Sequence, residues 1–290
     1  MADPLPVCFL NGAYLPLGEA RISPLDRGFL YADGVYEVMP VYAGRPFRLA
    51  AHCARLTRSL AELAMDDPMS AAEWREMIAG LIERNGRGDL YVYWQVTRGA
   101  EWGRNHAPLP LVPRTVFAFC APLPVTSPEL LARGLECITA EDTRWARCDV
   151  KSVALLANVL LRQLAIEAGA SETILLRNGE LTEASAAAVH VVVGGEVRTP
   201  PQTHRILPGT TRGVIEELAE RVGLRHRSLR VTEQQLREAQ EVWLSAATRE
   251  LVPVTRLDGR PVGSGAPGPA WRRLYEEFQR YKQELAGEPW

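Results

Sequence analysis

Apolar and polar residues alternate along several short stretches near the start of the chain, and a period of two predicts β-strands. Asn11-Gly12, between two of these stretches, is typical of a β-hairpin turn. Two longer stretches, Ala50–Met65 and Ala71–Arg84, have apolar residues at helical spacing instead. The predicted strands are Val7–Leu10, Ala13–Pro16, Gly34–Tyr42, Asp89–Arg98 and Arg114–Ala121.

The same mixture of patterns continues through the rest of the chain. Asn178-Gly179 and Gly194-Gly195 mark two further hairpins, and Thr232 with Gln235 has the spacing of a capping box that opens a short helix. The predicted strands are Glu136–Glu141, Glu172–Arg177, Glu180–Glu183, Val189–Val193, Glu196–Thr199, Val242–Ser245 and Val252–Leu257. The predicted helices are Ser152–Ala168, Thr211–Val222 and Pro269–Leu285.

A proline-rich segment, Ala121–Pro128, separates the two halves and is predicted to be a linker. Mixed strands and helices on both sides of it predict an α+β fold (α/β mixed) of two domains. We expect a small N-terminal domain at residues 1–120, the linker at 121–128 and a larger C-terminal domain at 129–290. No GxGxxG or GxxxxGK[ST] run follows a strand, which disfavours dinucleotide and P-loop sites.

Composition narrows the classes of partner. The net charge is −2 and basic residues form no runs, so neither nucleic acid nor a membrane surface is expected to bind. The N-terminus, MADPLPVCFLNG, lacks a basic region followed by a long apolar stretch, which predicts a cytoplasmic protein. Five scattered cysteines and five histidines predict reduced, buried thiols and no metal site.

Lysine usage points to a specific chemistry. Lysine and arginine together number 33, yet only Lys151 and Lys282 are lysines. Arginine replaces lysine in most surface roles but does not deprotonate to form an imine. Lys282 lies in a charged C-terminal helix, where a solvated side chain is expected. Lys151 precedes an apolar predicted helix, where a Schiff-base role competes with simple pairing to Asp149.

Two further segments suit a phosphorylated, ring-shaped cofactor. Glu183 ends a predicted strand just before a run of small residues, where it is either a partner for a pyridine nitrogen or a surface glutamate. The segment Leu207–Arg212, LPGTTR, either holds a phosphate on the backbone N–H groups of Thr210 and Thr211 or simply caps a helix. We call this segment the phosphate cup.

Polar residues in the first half suit a carboxylate substrate or a phosphate. Tyr36 lies on a predicted strand and Arg55 on the following helix, where its guanidinium either forks around a phosphate or forms a surface pair. Arg104 and His106 lie two residues apart in a predicted loop. They either clamp a carboxylate or remain a solvated charge pair.

Together these segments resemble the class IV aminotransferases, which have the pyridoxal-phosphate (PLP) fold type IV, and most closely the D-amino acid branch. The match covers nearly the whole chain. It rests on the runs FLNGAYLP, DRGFLYADGVYEV, HCARL, QVTRGAEWGRNH, DTRWARCDVKS, ETILLRNGELTEAS, ILPGTTRG and ELVPV. The resemblance implies a two-domain fold with PLP in the cleft between the domains.

By this resemblance the cofactor contacts are assigned residue by residue. Lys151 matches the Schiff-base lysine, and Glu183 matches the partner of the pyridine nitrogen. Arg55 matches the phosphate-binding arginine, and Thr210 with Thr211 matches the phosphate cup. Lys151 is then also the catalytic residue that moves the substrate proton.

The same resemblance assigns the substrate contacts and a partner. Tyr36 matches a tyrosine of the substrate pocket, and Arg104 with His106 matches the carboxylate clamp of the D-amino acid branch. In that branch the clamp reaches into the site of the neighbouring subunit. A homodimer that shares its clamp across subunits is therefore implied.

Two departures from the family pattern lie near the expected cofactor. Ser185 is followed by Ala186–Ala188, and Ala247 also stands where hydroxyl residues are common. Each lost hydrogen bond costs about 1 kcal/mol and weakens PLP retention. Ser185, or alternatively Thr248, is the remaining hydroxyl expected to contact the cofactor.

The predicted function is PLP-dependent transamination of D-amino acids, with D-alanine as the type of donor and a 2-oxo acid such as 2-oxoglutarate as acceptor. Branched-chain and (R)-amine transaminases share the fold but lack this clamp. An aminodeoxychorismate-type lyase that uses the same lysine is a further alternative. A PLP-binding protein with little turnover is the alternative outside enzymes.

Overall fold

The computed structural model describes residues 3–110 and 112–287 of the chain. The chain forms two compact units. The first extends to Pro124 and also contains Val150–Ala154. The second contains Val125–Asp149 and Leu155–Glu284. The segment that carries Lys151 therefore belongs to the first unit.

The first unit is an antiparallel sheet packed with helices. Its strands are β1 (Val7–Leu10), β2 (Ala13–Pro16), β3 (Gly34–Tyr42), β4 (Arg45–Pro46), β5 (Leu90–Thr97) and β6 (Thr115–Pro122). Its helices are a single 3₁₀ turn (Leu17–Glu19), α1 (Arg27–Tyr31), α2 (Leu49–Glu62) and α3 (Ala71–Arg84). The strand order is β2-β1-β6-β5-β3-β4. The predicted strands β1, β2 and β3 are confirmed to the residue.

The core of the first unit lies between the sheet and helices α2 and α3. Fully buried side chains include Leu56, Leu60, Ile78 and Trp94. Helix α3 begins at a capping box in which Ser70 and Glu73 bond each other's backbone N–H groups. Apolar residues at helical spacing therefore face an apolar side of the sheet, and the polar caps satisfy the exposed ends.

The second unit is built on a larger, mixed sheet. Its strands are β7 (Leu135–Glu141), β8 (Glu172–Arg177), β9 (Glu180–Ala184), β10 (Ala188–Val193), β11 (Glu196–Thr199), β12 (His226–Ser228), β13 (Glu241–Ala246), β14 (Glu250–Leu257) and β15 (Arg260–Pro261). Its helices are α4 (Pro128–Arg133), α5 (Leu156–Glu167), α6 (Thr210–Arg221), α7 (Glu233–Arg237) and α8 (Pro269–Gly287).

The strand order of this sheet is β12-β11-β10-β13-β14-β7-β8-β9, with β15 paired to β14. Three pairs are parallel, β11 with β12, β14 with β7 and β7 with β8, and the others are antiparallel. Val189, Val191, Leu244 and Val252 are among its buried core residues. The two hairpins predicted at Asn178-Gly179 and Gly194-Gly195 correspond to the observed antiparallel pairs β8/β9 and β10/β11.

One predicted boundary near Lys151 is wrong. The helix expected to begin at Ser152 begins instead at Leu156. Val153 donates its backbone N–H to Gly34 O at 3.0 Å, so the preceding residues extend beside β3 and are not available for helical bonds. The helix therefore does not begin directly after Lys151.

The cysteines agree with their predicted state. Cys8, Cys53, Cys120, Cys137 and Cys148 are all buried and unbridged. Burial raises the pKa of the Cys120 thiol to about 12, which disfavours the reactive thiolate. No helix in the described part of the chain has the length and apolar character required to cross a membrane.

Candidate active site

Lys151 lies in a short extended segment that pairs with β3. Its carbonyl oxygen accepts the backbone N–H of Tyr36 at 3.0 Å. Its own N–H donates to Ser59 Oγ at 3.3 Å. Val35 and Ser152 form an isolated antiparallel bridge beside these bonds. Backbone hydrogen bonds on both sides therefore hold the position from which the lysine side chain projects.

The amine of Lys151 lies over an aromatic ring. Its Nζ is 4.1 Å from the ring centroid of Tyr36, within the range of a cation–π contact. Among residues 3–110 and 112–287 this amine makes no ion pair, while Asp149 pairs with Arg147 at 3.0 Å. The structure thus brings together Lys151 and Tyr36, two residues that the sequence assigned to the site.

Lys282, the other lysine, has a structural role. Its Nζ pairs with a carboxylate oxygen of Glu250 and donates to Gln279 Oε1 at 3.0 Å. Its side chain is only 18% exposed, so the expectation of a solvated lysine is wrong. An amine occupied by a carboxylate and an amide oxygen in this way is a poor candidate for imine chemistry.

Arg55 is held by a buried carboxylate. Its Nε and Nη2 donate to the two oxygens of Glu37 at 2.7 and 2.6 Å. His52 Nδ1 lies 2.7 Å from the same carboxylate. The alternative of a surface pair is wrong, because both Glu37 and Arg55 are buried. Helix α2 and strand β3 position this cluster, since His52 and Arg55 lie one turn apart on the helix.

The Glu37 carboxylate is held in its charged form. Burial alone raises the pKa of Glu37, but the Arg55 guanidinium and the His52 ring outweigh it and lower that pKa to about 2. Burial lowers the pKa of His52. Side chains alternate between the two faces of a strand, so Glu37 and its neighbour Tyr36 project to opposite sides of β3.

Arg104 and His106 lie together beside a tyrosine that the sequence did not single out. The Arg104 guanidinium carbon is 5.2 Å from the ring centroid of Tyr31. The His106 ring centroid is 5.5 Å from the same point. Both residues are exposed. Within the described residues, neither makes a hydrogen bond, ion pair or ring contact with Tyr36.

Glu183 is a buried carboxylate on β9. Its Oε2 accepts from Arg144 Nη1 at 2.7 Å and from the backbone N–H of Leu207 at 3.1 Å. Arg144 also binds both oxygens of Asp142, each at 2.9 Å. Burial raises the pKa of Glu183 and Arg144 counteracts it, with the net direction upward. The alternative interpretation of Glu183 as a surface glutamate is therefore wrong.

This arrangement fits a pyridine partner. Glu183 Oε1 accepts no hydrogen bond from the part of the chain that the structure describes, whereas Oε2 accepts two. A carboxylate with one oxygen bonded by the protein retains the other as an acceptor for a ring N–H. Arg144 supplies the positive charge that favours the ionised form of such a buried carboxylate.

The phosphate cup lies at the start of helix α6. The N-cap residue is Gly209, and no side chain caps the first turn. Backbone N–H groups in the first turn of a helix, here those of Thr210 and Thr211, point out of its start, which carries partial positive charge. Thr211 is buried and Thr210 partly buried. The cup therefore has the donors that an anion requires.

The Ser185 hydroxyl has a protein partner. It donates to a carboxylate oxygen of Glu172, which is fully buried. The Ser185 carbonyl accepts from Asn158 Nδ2 at 2.7 Å. Arg249 pairs with the other oxygen of Glu172 at 2.9 Å. Ser185 thus belongs to a buried polar network, and its hydroxyl is engaged within the second unit.

Sequence reasoning missed Glu37, His52, Arg144 and Tyr31. A charged residue at a core-facing position of the apolar strand Gly34–Tyr42 was the available signal for Glu37. Arg144 stands in a motif that was recognised, but nothing in its spacing reveals that it binds two carboxylates, one of them distant along the chain. These are tertiary contacts, which local pattern does not encode.

The family model described as "Amino-transferase class IV" matches residues 34–257. The chain belongs to the class IV aminotransferases. Enzymes of this class use PLP, so this class IV aminotransferase is a PLP-dependent transaminase. The predicted family, fold type, reaction class and cofactor are confirmed.

Curated relatives match this aminotransferase over most of its length. A D-alanine aminotransferase of Bacillus licheniformis is 40% identical over 271 residues, covering 93% of this chain and 94% of the relative. A D-alanine aminotransferase of Staphylococcus aureus (strain MSSA476) is 37% identical over 274 residues, covering 94% and 96% of the two chains.

Solved structures confirm the fold. The branched-chain amino acid aminotransferase of Escherichia coli has a TM-score of 0.90 at 26% identity, covering 97% of this aminotransferase and 94% of that chain. A second branched-chain amino acid aminotransferase, solved with pyridoxamine 5'-phosphate, has a TM-score of 0.89 at 28% identity, covering 100% and 96%. A fold IV transaminase of Curtobacterium pusillum has a TM-score of 0.82 at 26% identity, covering 94% and 92%.

Proposed function

We propose that this aminotransferase takes the amino group from D-amino acids of the D-alanine type and delivers it to a 2-oxo acid such as 2-oxoglutarate. The observation that carries the proposal is that Arg104 and His106, both on one exposed loop, each contact the ring of Tyr31. An arginine and a histidine at this spacing can both donate to an α-carboxylate. The D-alanine aminotransferases at up to 40% identity support the choice of substrate.

Lys151 is the proposed catalytic residue. PLP, when bound, supplies an electron sink for the pair of electrons left when the substrate Cα–H bond breaks. The amine of Lys151 removes the proton from the substrate Cα and returns it at cofactor C4′, acting as base and then as acid. The absence of an ion pair to Lys151 in the described residues suits this role, because a carboxylate partner would favour the protonated amine.

Glu183 is the proposed partner of the pyridine nitrogen. Its Oε1 would accept the ring N–H, while Arg144 and the Leu207 N–H hold Oε2. A retained proton on the ring nitrogen makes the ring a better electron acceptor. Arg144 is therefore proposed to act through Glu183, by favouring its ionised carboxylate despite burial.

The phosphate is proposed to bind the backbone N–H groups of Thr210 and Thr211. Arg55 is the proposed cationic contribution, held in place by its two bonds to Glu37. Ser185 remains a predicted cofactor contact, although its hydroxyl donates to Glu172.

The substrate carboxylate is proposed to bind Arg104 and His106, with Tyr36 shaping the pocket beside Lys151. A charged clamp of this kind favours amino acids over simple amines, because an (R)-amine has no carboxylate to bind it. Branched-chain transamination is the second candidate, since the solved relatives with TM-scores up to 0.90 are branched-chain enzymes.

A half-reaction tests the proposal. Purified enzyme loaded with PLP is mixed with D-alanine or L-alanine, and the absorbance of the cofactor is followed without any keto acid. We expect D-alanine to convert the cofactor to its amine form and L-alanine to react far more slowly. Conversion by L-alanine alone would reject the D-amino acid assignment.

Two controls separate the remaining alternatives. Lys151→Ala should abolish turnover, and borohydride should fix PLP to the wild-type lysine only. Release of pyruvate from D-serine without any acceptor would indicate a lyase instead. A cofactor spectrum that neither alanine isomer changes would indicate a PLP-binding protein with little turnover.

The oligomeric state is proposed to be a homodimer. Helix α5 exposes a row of apolar side chains, with Leu156, Val159 and Leu160 at 71%, 60% and 59% exposure and Leu164 at 43%. Exposed apolar patches of this kind mark interaction surfaces. A second copy of the chain is proposed to cover this apolar row, and the resemblance to the D-amino acid branch implies that the clamp is shared between subunits.

The cytoplasmic location of the protein also stays a prediction.

Light scattering coupled to gel filtration tests the dimer. Leu160→Glu should convert the protein to a monomer, because a carboxylate within the apolar row must be desolvated on association. Val125→Glu makes the same change at a single exposed apolar residue, 87% exposed, and should leave the mass unchanged. A monomeric wild type would reject the proposal.

A further inference from the structure

The loop that carries the clamp is tied to a buried arginine that has no role in the proposed function. We define the clamp loop as Glu101–Leu109. Arg27 is only 4% exposed, and it donates to the backbone oxygen of Asn105 at 2.6 Å and to that of His106 at 3.0 Å. Because one planar guanidinium binds both carbonyls, the backbone that follows Arg104 is fixed in position.

Two carboxylates complete the surroundings of Arg27. Asp33 Oδ2 accepts from its Nε at 2.8 Å, and Glu101 pairs with Nη1 at the start of the clamp loop. The second oxygen of Glu101 accepts the backbone N–H of Leu109 at 2.8 Å, which joins the two ends of the loop. Asp33 also binds Arg98, just beyond β5, at 2.8 Å. The loop is therefore closed around Arg27.

The residues next to Arg27 are anchored to the sheet of the same unit. Asp26 Oδ2 accepts from Thr97 Oγ1 at 3.0 Å and from Thr115 Oγ1 at 2.6 Å. Its other oxygen accepts the N–H of Gly28 at 2.8 Å. A Cβ at Gly28 would lie 2.3 Å from Thr97 Cγ2, so only glycine permits this approach. Helix α1 thus gives Arg27 a rigid base on β5 and β6.

Tyr31 connects this base to the clamp side chains. Its ring centroid lies 4.6 Å from the guanidinium carbon of Arg27 and 5.2 Å from that of Arg104. The His106 ring is 5.5 Å away. Within the described residues the Tyr31 hydroxyl has no hydrogen-bond partner, so its ring alone makes these contacts.

We infer that Arg27 and Tyr31 are positioning residues that hold Arg104 and His106 ready for the substrate carboxylate, and so set substrate affinity without taking part in proton transfer. This inference rests on the proposed function. Exposed arginine and histidine side chains on a loop lose conformational freedom when they bind a ligand. A scaffold that holds them in place beforehand reduces that loss and strengthens binding.

The test separates affinity from chemistry. The half-reaction rate of PLP-loaded enzyme is measured against D-alanine concentration, which yields an apparent dissociation constant and a limiting rate. For Arg27→Gln we expect the dissociation constant to rise at least ~10-fold while the limiting rate changes less than ~3-fold and bound PLP is retained. Tyr31→Leu should raise the dissociation constant roughly 3- to 10-fold. Tyr31→Phe should have the wild-type dissociation constant, because phenylalanine keeps the ring.

Arg87→Gln, which removes an exposed arginine, is the control and should match the wild type. If Arg27→Gln does not fold, Glu101→Gln weakens the same attachment from the loop side and should raise the dissociation constant about 3-fold. Unchanged affinity in these variants, or an equal loss for Tyr31→Phe and Tyr31→Leu, would overturn the inference alone. A wild type that does not react with D-alanine would reject the proposed function, and the inference with it.

Discussion

Each unit contains a buried glutamate bonded to an arginine, yet the two carboxylates differ in charge preference. Glu37 in the first unit and Glu183 in the second are both at most 5% exposed. The pKa of Glu37 is lowered to about 2, because Arg55 and His52 outweigh the effect of burial. The pKa of Glu183 is raised, because burial outweighs Arg144.

The pKa values of Glu37 and Glu183 differ because the two carboxylates accept from different numbers of donors, and because the donor to Glu183 is shared with another carboxylate. Both oxygens of Glu37 are bonded, by Arg55 and His52 together. Among the described residues only one oxygen of Glu183 is bonded, and Arg144 divides its charge between Glu183 and Asp142. A carboxylate whose oxygens are all satisfied stabilises the fold, whereas one that keeps an oxygen available suits a ligand and contributes less to stability.

The largest effect is expected from Glu37→Ala. Removing this carboxylate takes a buried counter-charge away from Arg55 and His52, which costs about 3–5 kcal/mol of unfolding free energy. Urea denaturation followed by tryptophan fluorescence measures it. Glu37→Gln, which keeps the shape and one acceptor, should lose less than Glu37→Ala. A loss below about 1 kcal/mol for Glu37→Ala would show that the cluster is not stabilising.

The pH dependence of stability should separate the two glutamates next. A lowered pKa means that Glu37 contributes stability above its ordinary pKa of 4.5 and loses it as the pH falls toward 2. The shift corresponds to about 3 kcal/mol. As the pH falls from neutral through 4.5 and then through about 2, the wild type should therefore lose about 3 kcal/mol more unfolding free energy than Glu37→Gln does.

Glu183 should behave in the opposite sense over the same range. A pKa that is higher in the folded than in the unfolded chain means that the ionised carboxylate costs stability, and this cost is relieved as the pH falls through the folded pKa. Comparing Glu183→Gln with the wild type by urea denaturation at each pH measures this. The same slope for Glu183→Gln and Glu37→Gln would contradict the comparison.

Glu37 is expected to matter more for stability, whereas Glu183 is expected to matter more for catalytic activity. Glu183→Gln is expected to lower the transamination rate about 100-fold, the scale of removing one group that stabilises developing charge. Its stability at neutral pH should change by less than ~1 kcal/mol, since the fold gains little from this charge. Steady-state kinetics with D-alanine and 2-oxoglutarate, with PLP content checked by absorbance, gives the result. Retained activity would exclude the pyridine role.

The smallest effect is expected at an exposed ion pair. Arg87 and Glu83 lie 2.7 Å apart on the surface, 66% and 64% exposed. Arg87→Gln should change the unfolding free energy by less than ~0.5 kcal/mol, because water screens such pairs. The same urea titration measures it, and a loss approaching that of Glu37→Ala would mean that burial does not govern the comparison.

Several elements were predictable because their pattern is local. Strand β3 and the hairpins at Asn11-Gly12 and Asn178-Gly179 follow from side-chain alternation and from turn residues that tolerate positive φ. The start of α5 was not predictable in this way. The residues after Lys151 have apolar character compatible with a helix, but hydrogen bonds to β3 hold them extended.

In the candidate site, too, some residues were predictable from local sequence features, whereas their tertiary contacts were not. Lys151 stood out because lysine is rare in this chain, and Glu183 because small residues follow it. Neither feature reveals that Arg144 binds Glu183, that Glu37 holds Arg55, or that one arginine closes the clamp loop. Those partners lie well apart along the chain, so no spacing rule links them.

The local sequence therefore determined which residues lie on each strand or turn, and the motifs determined the family. The charge states and orientations of those residues followed from which distant groups share their buried surroundings. The physical reason is that desolvation and hydrogen bonding act through space. A carboxylate such as Glu37 or Glu183 has its ionisation decided by neighbours that only folding brings within about 3 Å.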